Sequence, residues 1–436
     1  PEVFVPALLL CLFMLFIGRP VSVLAILKPF GASWQQIGVV SWAGLRGVAS
    51  IVFSIYVVLS GIPMTYNLFN MVFEKPTPFV PRYLRREVTE RISYKGEILT
   101  PLSEEDIRTA VEYLKKEQVE AIAVCYINSY ANEEHERKTV EKIKELWPEV
   151  YVCPSVDITR EWREYERTST AVLNAYVMPV ASSYLNRLGQ RLTDAGMPEN
   201  RYIMQSNGGT TTFEQAKLTP VNIVESGPVA GVFGASILGK IIGEPNIIAF
   251  DVGGTTAKCS LIDQGAVKVT TSYYIEKDER HAGYPIMAPV VDIVEIGNGG
   301  GSIAWIDEGG SLKVGPKSAG ALPGPVAYGK NGTEPTTTDA NLIAGRLSAK
   351  NFDMEVSLDN VKNALVEKVG KHFNISAEES AESIIRVADS NMNNALKLIS
   401  VRRGYDPRDF AMVAFGGGGP MHGPTLAKEL NIRKVI

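Results

Sequence analysis

Ile247-Ile248-Ala249-Phe250-Asp251-Val252-Gly253-Gly254-Thr255-Thr256 is the stretch on which the fold of this chain turns. Four apolar residues in a row, two of them β-branched, read as a buried strand, and the run ends on a carboxylate followed at once by a glycine pair. Cys259-Ser260-Leu261-Ile262 resumes strand character, Asp263-Gln264-Gly265 turns, and Ala266 to Thr271 alternates apolar with polar residues. The pattern is strand, glycine loop, strand, whereas a Rossmann or P-loop site places a helix directly after its glycines. Without Cβ atoms, Gly253 and Gly254 let backbone N–H groups approach phosphate oxygens; Thr255 and Thr256 add hydroxyl donors, and Asp251 can hold a hydrated Mg²⁺ or position water. A bare hairpin turn would use the same string.

Working outward, a second cluster follows the strand-like Phe410-Ala411-Met412-Val413-Ala414-Phe415. Gly416, Gly417, Gly418 and Gly419 form a loop and Pro420 to Leu430 a helix, which sets amides and a positive helix end where a nucleotide can bind. Close strand-to-helix packing is the structural alternative. A third cluster, Gly299, Gly300, Gly301 and Ser302, follows an apolar run holding Asp292 and Glu295, and Asp251 and Asp292 are the candidate catalytic carboxylates. From Gly297 through this cluster, Gly315 to Gly320 and Pro323-Gly324-Pro325 to Asn341, about 50 residues are so rich in glycine and proline that a loop-built surface is expected, carrying either function or a hinge or lid.

Towards the N-terminus, Ser103-Glu104-Glu105-Asp106 reads as a capped, dipole-matched start of a helix running to about Gln118. Ala121 to Tyr126 reads as a short strand and Asn132 to Leu146 as a helix, an alternation that predicts α/β packing. At 436 residues, 45% of them hydrophobic, the chain holds two to four domains and is not disordered. A net charge of −4 gives no reason to expect nucleic acid as partner. Cys11, Cys125, Cys153 and Cys259 lie far apart, against both a zinc site and a disulfide framework.

The average composition conceals a break. Only Glu2, Arg19, Lys28 and Arg46 are charged between Pro1 and Phe73, while the rest of the chain carries 41 Lys and Arg and 47 Asp and Glu. Val3 to Ile17 and Ile37 to Ile62 are apolar runs, the second long enough to span a bilayer. Lys28 lies in a turn-rich connection expected on the cytoplasmic side, and Arg46 sits at membrane depth or in an interfacial loop. Roughly Glu2 to Phe73, with Arg19 to Pro63 and Ser41-Trp42-Ala43-Gly44-Leu45-Arg46-Gly47 within it, resembles late transmembrane helices of bacterial cation/proton antiporters. That resemblance implies an ion-path role for Arg46.

From Glu74 onward the motifs resemble the A-type subunit of the hydantoinase/oxoprolinase family, with its N-methylhydantoinases, 5-oxoprolinases and acetone and acetophenone carboxylases. Its strings here are Glu164-Tyr165-Glu166-Arg167-Thr168-Ser169-Thr170, Gln205-Ser206-Asn207-Gly208-Gly209 and Glu225-Ser226-Gly227-Pro228, the Asp251 loop, the Gly299 cluster, Ser318 to Pro325, Thr338-Asp339-Ala340-Asn341 and the Gly416 loop. The resemblance implies an α/β, actin-like or sugar-kinase-like ATPase fold in which the Asp251 loop grips phosphate and the Gly416 loop lies on the adenosine side. It implies ATP and Mg²⁺, phosphorylation of a cyclic amide or ketone carbonyl for hydrolysis or carboxylation, and a B-type subunit as partner. A phosphorylated carbonyl oxygen becomes a leaving group, so such catalysis depends on positioning and charge neutralisation.

Three domains are expected: residues 1–73 as a transmembrane fragment, 74–178 as the C-terminal part of the family's N-terminal domain, and 179–436 as a truncated ATPase domain. The expected fold is thus an incomplete α/β ATPase fold preceded by transmembrane helices, cytoplasmic except for membrane contact through 1–73. No Asp-x-Gly-Gly-Thr loop precedes Asp251, which predicts an inactive chain, and a fusion of two unrelated genes is the companion expectation. An antiporter fragment joined to a non-catalytic domain is the competing reading. Lys258 stands where many members have Asp, and Asn298 and Ala327 where Ala and Cys are usual. Arg167 has two readings, an anion contact or an ion pair with Glu164 or Glu166. His135 and His422 match family histidines, with a ligand role set against helix-surface or loop packing.

Overall fold

The computed structural model describes residues 76–271, 273–277, 281–352 and 355–436. The apolar runs and Arg46 lie outside them, and among the described residues no helix is long and apolar enough to cross a membrane. The chain divides into two compact units, and every element below belongs to the one built from Thr77–Ile275 and Gly283–Ile436.

Helix α1, Glu104–Lys116, begins where Ser103 Oγ accepts the Asp106 amide at 3.2 Å. It buries Ile107, Val111 and Leu114, a spacing of four and three that puts all three on one face. Gln118 has φ 56°, so the helix stops just short of it. Strand β1, Ala121–Val124, then pairs in parallel with β2, Tyr151–Pro154, through helix α2, Glu134–Leu146. This is the βαβ unit that parallel pairing requires. Helix α3, Glu164–Asp194, has 31 residues and is about 46 Å long at 1.5 Å per residue. It packs Ala171, Ala175 and Met178 against Cys153 of β2.

Arg167, fully buried on α3, clamps the unit from within. Its Nη1 donates to Ser155 Oγ at 2.7 Å and to Ser129 Oγ, and its Nη2 donates to the Tyr126 carbonyl at 2.8 Å. The carboxylate beside it, at 3.6 Å, belongs to Glu136 rather than to Glu164 or Glu166. Glu136 in turn accepts from Tyr126 N, Ser155 Oγ and Val156 N. Both expected roles for Arg167 give way to this one because a buried guanidinium needs a matched set of acceptors, which the β1 and β2 ends supply.

Helix α4, Ser226–Ile242, precedes a sheet made of β3, Ile247–Val252, β4, Ala257–Asp263, and β5, Ile293–Ile296. A hairpin follows, β6, Ser302–Ile306, with β7, Leu312–Ser318, so the glycine-rich region expected as loop surface is partly sheet with a buried side at Ser302, Ile303 and Ala304. After helices α5, Thr337–Ile343, and α6, Ala377–Ile399, strand β8, Ala411–Phe415, enters the sheet and helix α7, Gly419–Glu429, leaves it. The sheet order is β5-β4-β3-β8, with β8 parallel to β3 and the other pairs antiparallel.

Strand alternation decides which side chains meet which layer. Ile248, Phe250 and Val252 face α6 and α7, packing with Met392, Leu396 and Leu426, while Ile247 and Ala249 face Val229 and Val232 of α4. Burying each of these large side chains stabilises the fold by roughly 1.5 to 3 kcal/mol. The sheet is covered on both faces, which accounts for the near-continuous apolar run that marked β3 in the sequence.

Candidate active site

Strands β3 and β4 are joined by Gly253-Gly254-Thr255-Thr256, a turn closed by the Gly253 amide donating to the Thr256 carbonyl at 3.0 Å. The four-residue loop sets the register, so Asp251 faces Lys258 across the ladder, and on its other side Asp251 faces Phe415 of β8. All three glycine clusters meet here. Gly300 N donates to the Gly253 carbonyl at 3.0 Å and Gly301 N to the Gly254 carbonyl at 2.5 Å, so the third cluster lies behind the loop. Gly418 N donates to the Val252 carbonyl at 2.8 Å, which docks the second cluster against the end of β3.

The glycines divide into two kinds. A Cβ on Gly299 would lie 2.7 Å from the Gly253 carbonyl oxygen, one on Gly418 2.7 Å from Val252 Cγ1, and one on Gly416 would meet Asp251 Oδ1 and, at 2.6 Å, the Val252 carbonyl. These three leave no room for a side chain: Gly299 and Gly416 press on backbone, and Gly418 presses on the Val252 side chain. Gly253, Gly254 and Gly417 are exposed, none has φ in the left-handed region, and a Cβ on Gly254 or Gly417 would meet nothing within 4 Å. Neither packing nor backbone conformation asks for glycine there, whereas the close approach of a ligand to the backbone does.

Of the predicted phosphate-binding residues, Gly253, Gly254, Thr255 and Thr256 thus form the exposed loop, and Gly416 and Gly417 the exposed part of the second. Gly299, Gly301 and Ser302 are buried; the Gly299 amide donates to Ser302 Oγ at 2.8 Å, and the Gly300 and Gly301 amides are engaged as above. The third cluster therefore supports the loop. Its own backing is the Thr338 region, whose amide and hydroxyl both donate to the Gly300 carbonyl, at 2.7 and 2.9 Å. Asp339 closes a capping box with Thr336 and accepts from the Ala327 and Val326 amides.

Asp251 is half-buried between the two exposed loops, and burial raises its pKa, with Lys258 lowering and Glu225 raising it. Lys258 Nζ is bound to Glu225 and lies 3.4 Å from Glu295, its cross-strand neighbour on β5. Glu225 sits at the N-cap of α4 with φ 60°, a costly conformation for a residue with a Cβ. Lys258 with its two carboxylates was missed as a site group. Its facing of Asp251 is readable from the loop length alone, but the pairing with Glu295 depends on a strand 37 positions away.

Asp292, the second catalytic candidate, is not at these loops. It lies at the start of β5, where its carboxylate pairs with Arg403 and its carbonyl accepts from Ser260 Oγ at 2.9 Å. His135 and His422 are both buried, so the helix-surface reading fails for each. His135 Nδ1 is 2.9 Å from Glu90 and His422 Nδ1 is 2.5 Å from Asp389, because each helix turns that position towards the interior.

Among the described residues no three His, Cys, Asp or Glu side chains converge as a metal cage. A single carboxylate, Asp251, beside an exposed glycine loop fits Mg²⁺, which keeps much of its water and reaches a protein through one or two carboxylates and the phosphates of its substrate. The exposed glycines fit a polyphosphate for the same steric reason that they need no side chain.

The family model described as Hydantoinase/oxoprolinase matches residues 167–436, and that described as Hydantoinase/oxoprolinase N-terminal region matches 57–147, starting within the segment expected to be membrane-embedded. An uncharacterized protein of Methanocaldococcus jannaschii is 45% identical over 382 residues, 85% of this chain and 55% of that one. Caprolactamase subunit alpha of Pseudomonas jessenii is 36% identical over 364 residues, 82% of this chain and 51% of that subunit. A solved acetone carboxylase in its nucleotide-free form superposes with a TM-score of 0.72 at 28% identity, covering 83% of this chain and 51% of that one. The chain spans about half the length of the curated relatives it matches.

Proposed function

The chain belongs to the hydantoinase/oxoprolinase family, and from that premise we propose that it carries the ATP site of an enzyme that activates an amide or ketone carbonyl. The observation that carries this reading is the exposed glycine set Gly253, Gly254 and Gly417, which the protein's own packing does not require. Bound there, ATP would supply a phosphoryl group to the carbonyl oxygen. The residues of this chain hold and orient. The 253–256 loop and the Gly416-Gly417 turn lie on the phosphates, the α7 N-terminus adds its positive end, and Asp251 takes the Mg²⁺. Lys258 offsets part of the negative charge that Glu225 and Glu295 bring beside that centre.

Relatives are named as caprolactamase and acetone carboxylase, and the caprolactamase match is one subunit of its enzyme. A second, B-type subunit is accordingly part of the proposal, and the reading rests on residues from Thr77 onward. Isothermal titration of the purified chain with Mg-ATP should show saturable binding that Asp251→Ala weakens by about tenfold or more, the loss of one charge-assisted metal contact. Equal binding by wild type and variant would overturn the assignment.

A further inference from the structure

Paired positions run in one row across the sheet: Phe415 of β8 faces Asp251 of β3, Asp251 faces Lys258 of β4, and Lys258 faces Glu295 of β5. Cross-strand partners share a face, with their Cβ atoms about 4.5 to 5.5 Å apart. Helix α4 lies over this face with Gly231 against the Phe415 ring, and Glu225 at its N-cap accepts from Lys258 Nζ. The side chains of Lys258 and Glu225 are 15% and 18% exposed, whereas Glu295, 3.4 Å from the same ammonium, is 40% exposed. The shielded pair with Glu225 is therefore the stronger of the two.

Glu225 holds this position against two costs. It occupies the left-handed region at φ 60°, and its side chain makes no capping bond to the first-turn amides, as Ser, Thr, Asp or Asn would. A clamp between helix and sheet accounts for neither cost, nor for the charge balance. Three carboxylates, Asp251, Glu225 and Glu295, share one ammonium beside a loop that suits phosphate. A polyphosphate adds negative charge there, and the ammonium that offsets it is already held by Glu225.

We infer that Lys258 is exchanged between Glu225 and the outermost phosphate of the nucleotide. Glu225 holds the ammonium in the empty site and releases it on binding, so Glu225 is a positioning residue that sets how strongly the site prefers a triphosphate to a diphosphate. This rests on the nucleotide site proposed above and names a specificity-determining pair within it. Lys258 stands across from Asp251, the carboxylate assigned to Mg²⁺, and in phosphoryl-transfer sites the metal lies on the outer phosphates, so a group beside Asp251 meets that end of the nucleotide. An ammonium on a flexible stem, with three rotatable donors, trades one acceptor for another without moving the backbone. Lys258 stands where many members of the family have Asp, so the exchange is not a property of the family at large.

Isothermal titration of the full chain with Mg-ADP and with the Mg complex of β,γ-imido-ATP, a triphosphate that is not hydrolysed, gives two affinities whose ratio reads the terminal phosphate. Lys258→Met should weaken the triphosphate by about tenfold, the loss of one charge-assisted contact, and leave the diphosphate within about twofold. Glu225→Gln keeps the side-chain shape and frees the ammonium, so it should tighten the triphosphate by about threefold or more, Glu295→Gln by less, with the diphosphate unmoved. Placed on Lys258→Met, Glu225→Gln should change nothing, because no ammonium is left to release; plain repulsion between Glu225 and phosphate would persist in that background. A ratio indifferent to Lys258→Met, or a Glu225→Gln gain that survives on Lys258→Met, overturns the inference and leaves the nucleotide site standing. If circular dichroism shows Lys258→Met unfolded, Glu225→Gln decides alone: no change, or an equal change for both nucleotides, overturns the exchange. Binding of neither nucleotide to the wild-type chain overturns the nucleotide reading and the exchange with it.

Discussion

His422 and Asp389 meet in the interior with Nδ1 and Oδ1 2.5 Å apart, joining the first turn of α7 to the middle of α6 directly behind the Gly416 loop. Arg346 stands 3.9 Å from the same carboxylate and donates to the Met421 carbonyl at 3.2 Å, and Asn341 of α5 lies 3.4 Å from His422 Nε2. The group thus ties three helices to one loop. His422→Ala leaves Asp389 buried with only Arg346 near it, and breaking a buried pair by removing one partner costs about 3 to 5 kcal/mol. Urea unfolding should show a loss of that size, with Mg-ATP affinity reduced as the α7 start loosens. A loss below about 1 kcal/mol would mean that the pair does not hold the loop.

The two kinds of glycine predict opposite outcomes from the same chemical change. Gly416→Ala drives a Cβ into the Asp251 carboxylate and the Val252 carbonyl at a residue with φ 77°, and should destabilise the chain by about 1 to 3 kcal/mol. Gly254→Val meets open space and should leave the unfolding midpoint within about 0.5 kcal/mol of wild type while weakening Mg-ATP binding several-fold. Unfolding curves and nucleotide titrations on both variants check the contrast. Equal losses of stability would contradict the division.

The elements around the site were legible because each is decided locally. The β3 run, the four-residue loop and the β8-glycine-α7 sequence all stand where the apolar pattern and the glycines put them. What the clusters do was not legible, because it depends on meetings between distant segments. Gly299 and Gly254 look alike in sequence, and only the fold shows that one is pressed against a backbone while the other faces open space. The surroundings of Arg167 and Asp292 were hidden for the same reason: their partners, Glu136 and Arg403, lie 31 and 111 positions away. Local spacing carries no information about either.

Arg167 illustrates how a family string can be conformational rather than chemical. Its planar fork reaches Ser129, Ser155 and the Tyr126 carbonyl at once, a set that an ammonium group cannot copy. Arg167→Lys should therefore fail to rescue what Arg167→Ala loses. Both variants leave the fully buried Glu136 poorly matched, and the alanine variant should lose about 3 to 5 kcal/mol in chemical denaturation. Full stability in the lysine variant would show that charge alone is required at this position.

Asp251 should trade stability for binding. Burial is the main cause that raises its pKa, with Glu225 adding to it and Lys258 opposing. In the unfolded chain the carboxyl ionises near its ordinary value of about 3.8, whereas in the fold it holds its proton to higher pH. The folded state therefore binds more protons between those two values, and stability falls as pH rises through that window. Asp251→Asn removes the penalty, so at neutral pH the variant should unfold at higher denaturant than wild type, with the difference vanishing below the ordinary carboxyl range. Lys258→Ala should move wild-type stability the other way, because the charge that lowers the Asp251 pKa is gone and Glu225 and Glu295 lose their partner. Denaturation midpoints from pH 3 to 8 for the three proteins test the sign. A carboxylate held at such a cost only for structure would make Asp251→Asn destabilising at pH 7, and that result would remove Asp251 from the metal-binding role.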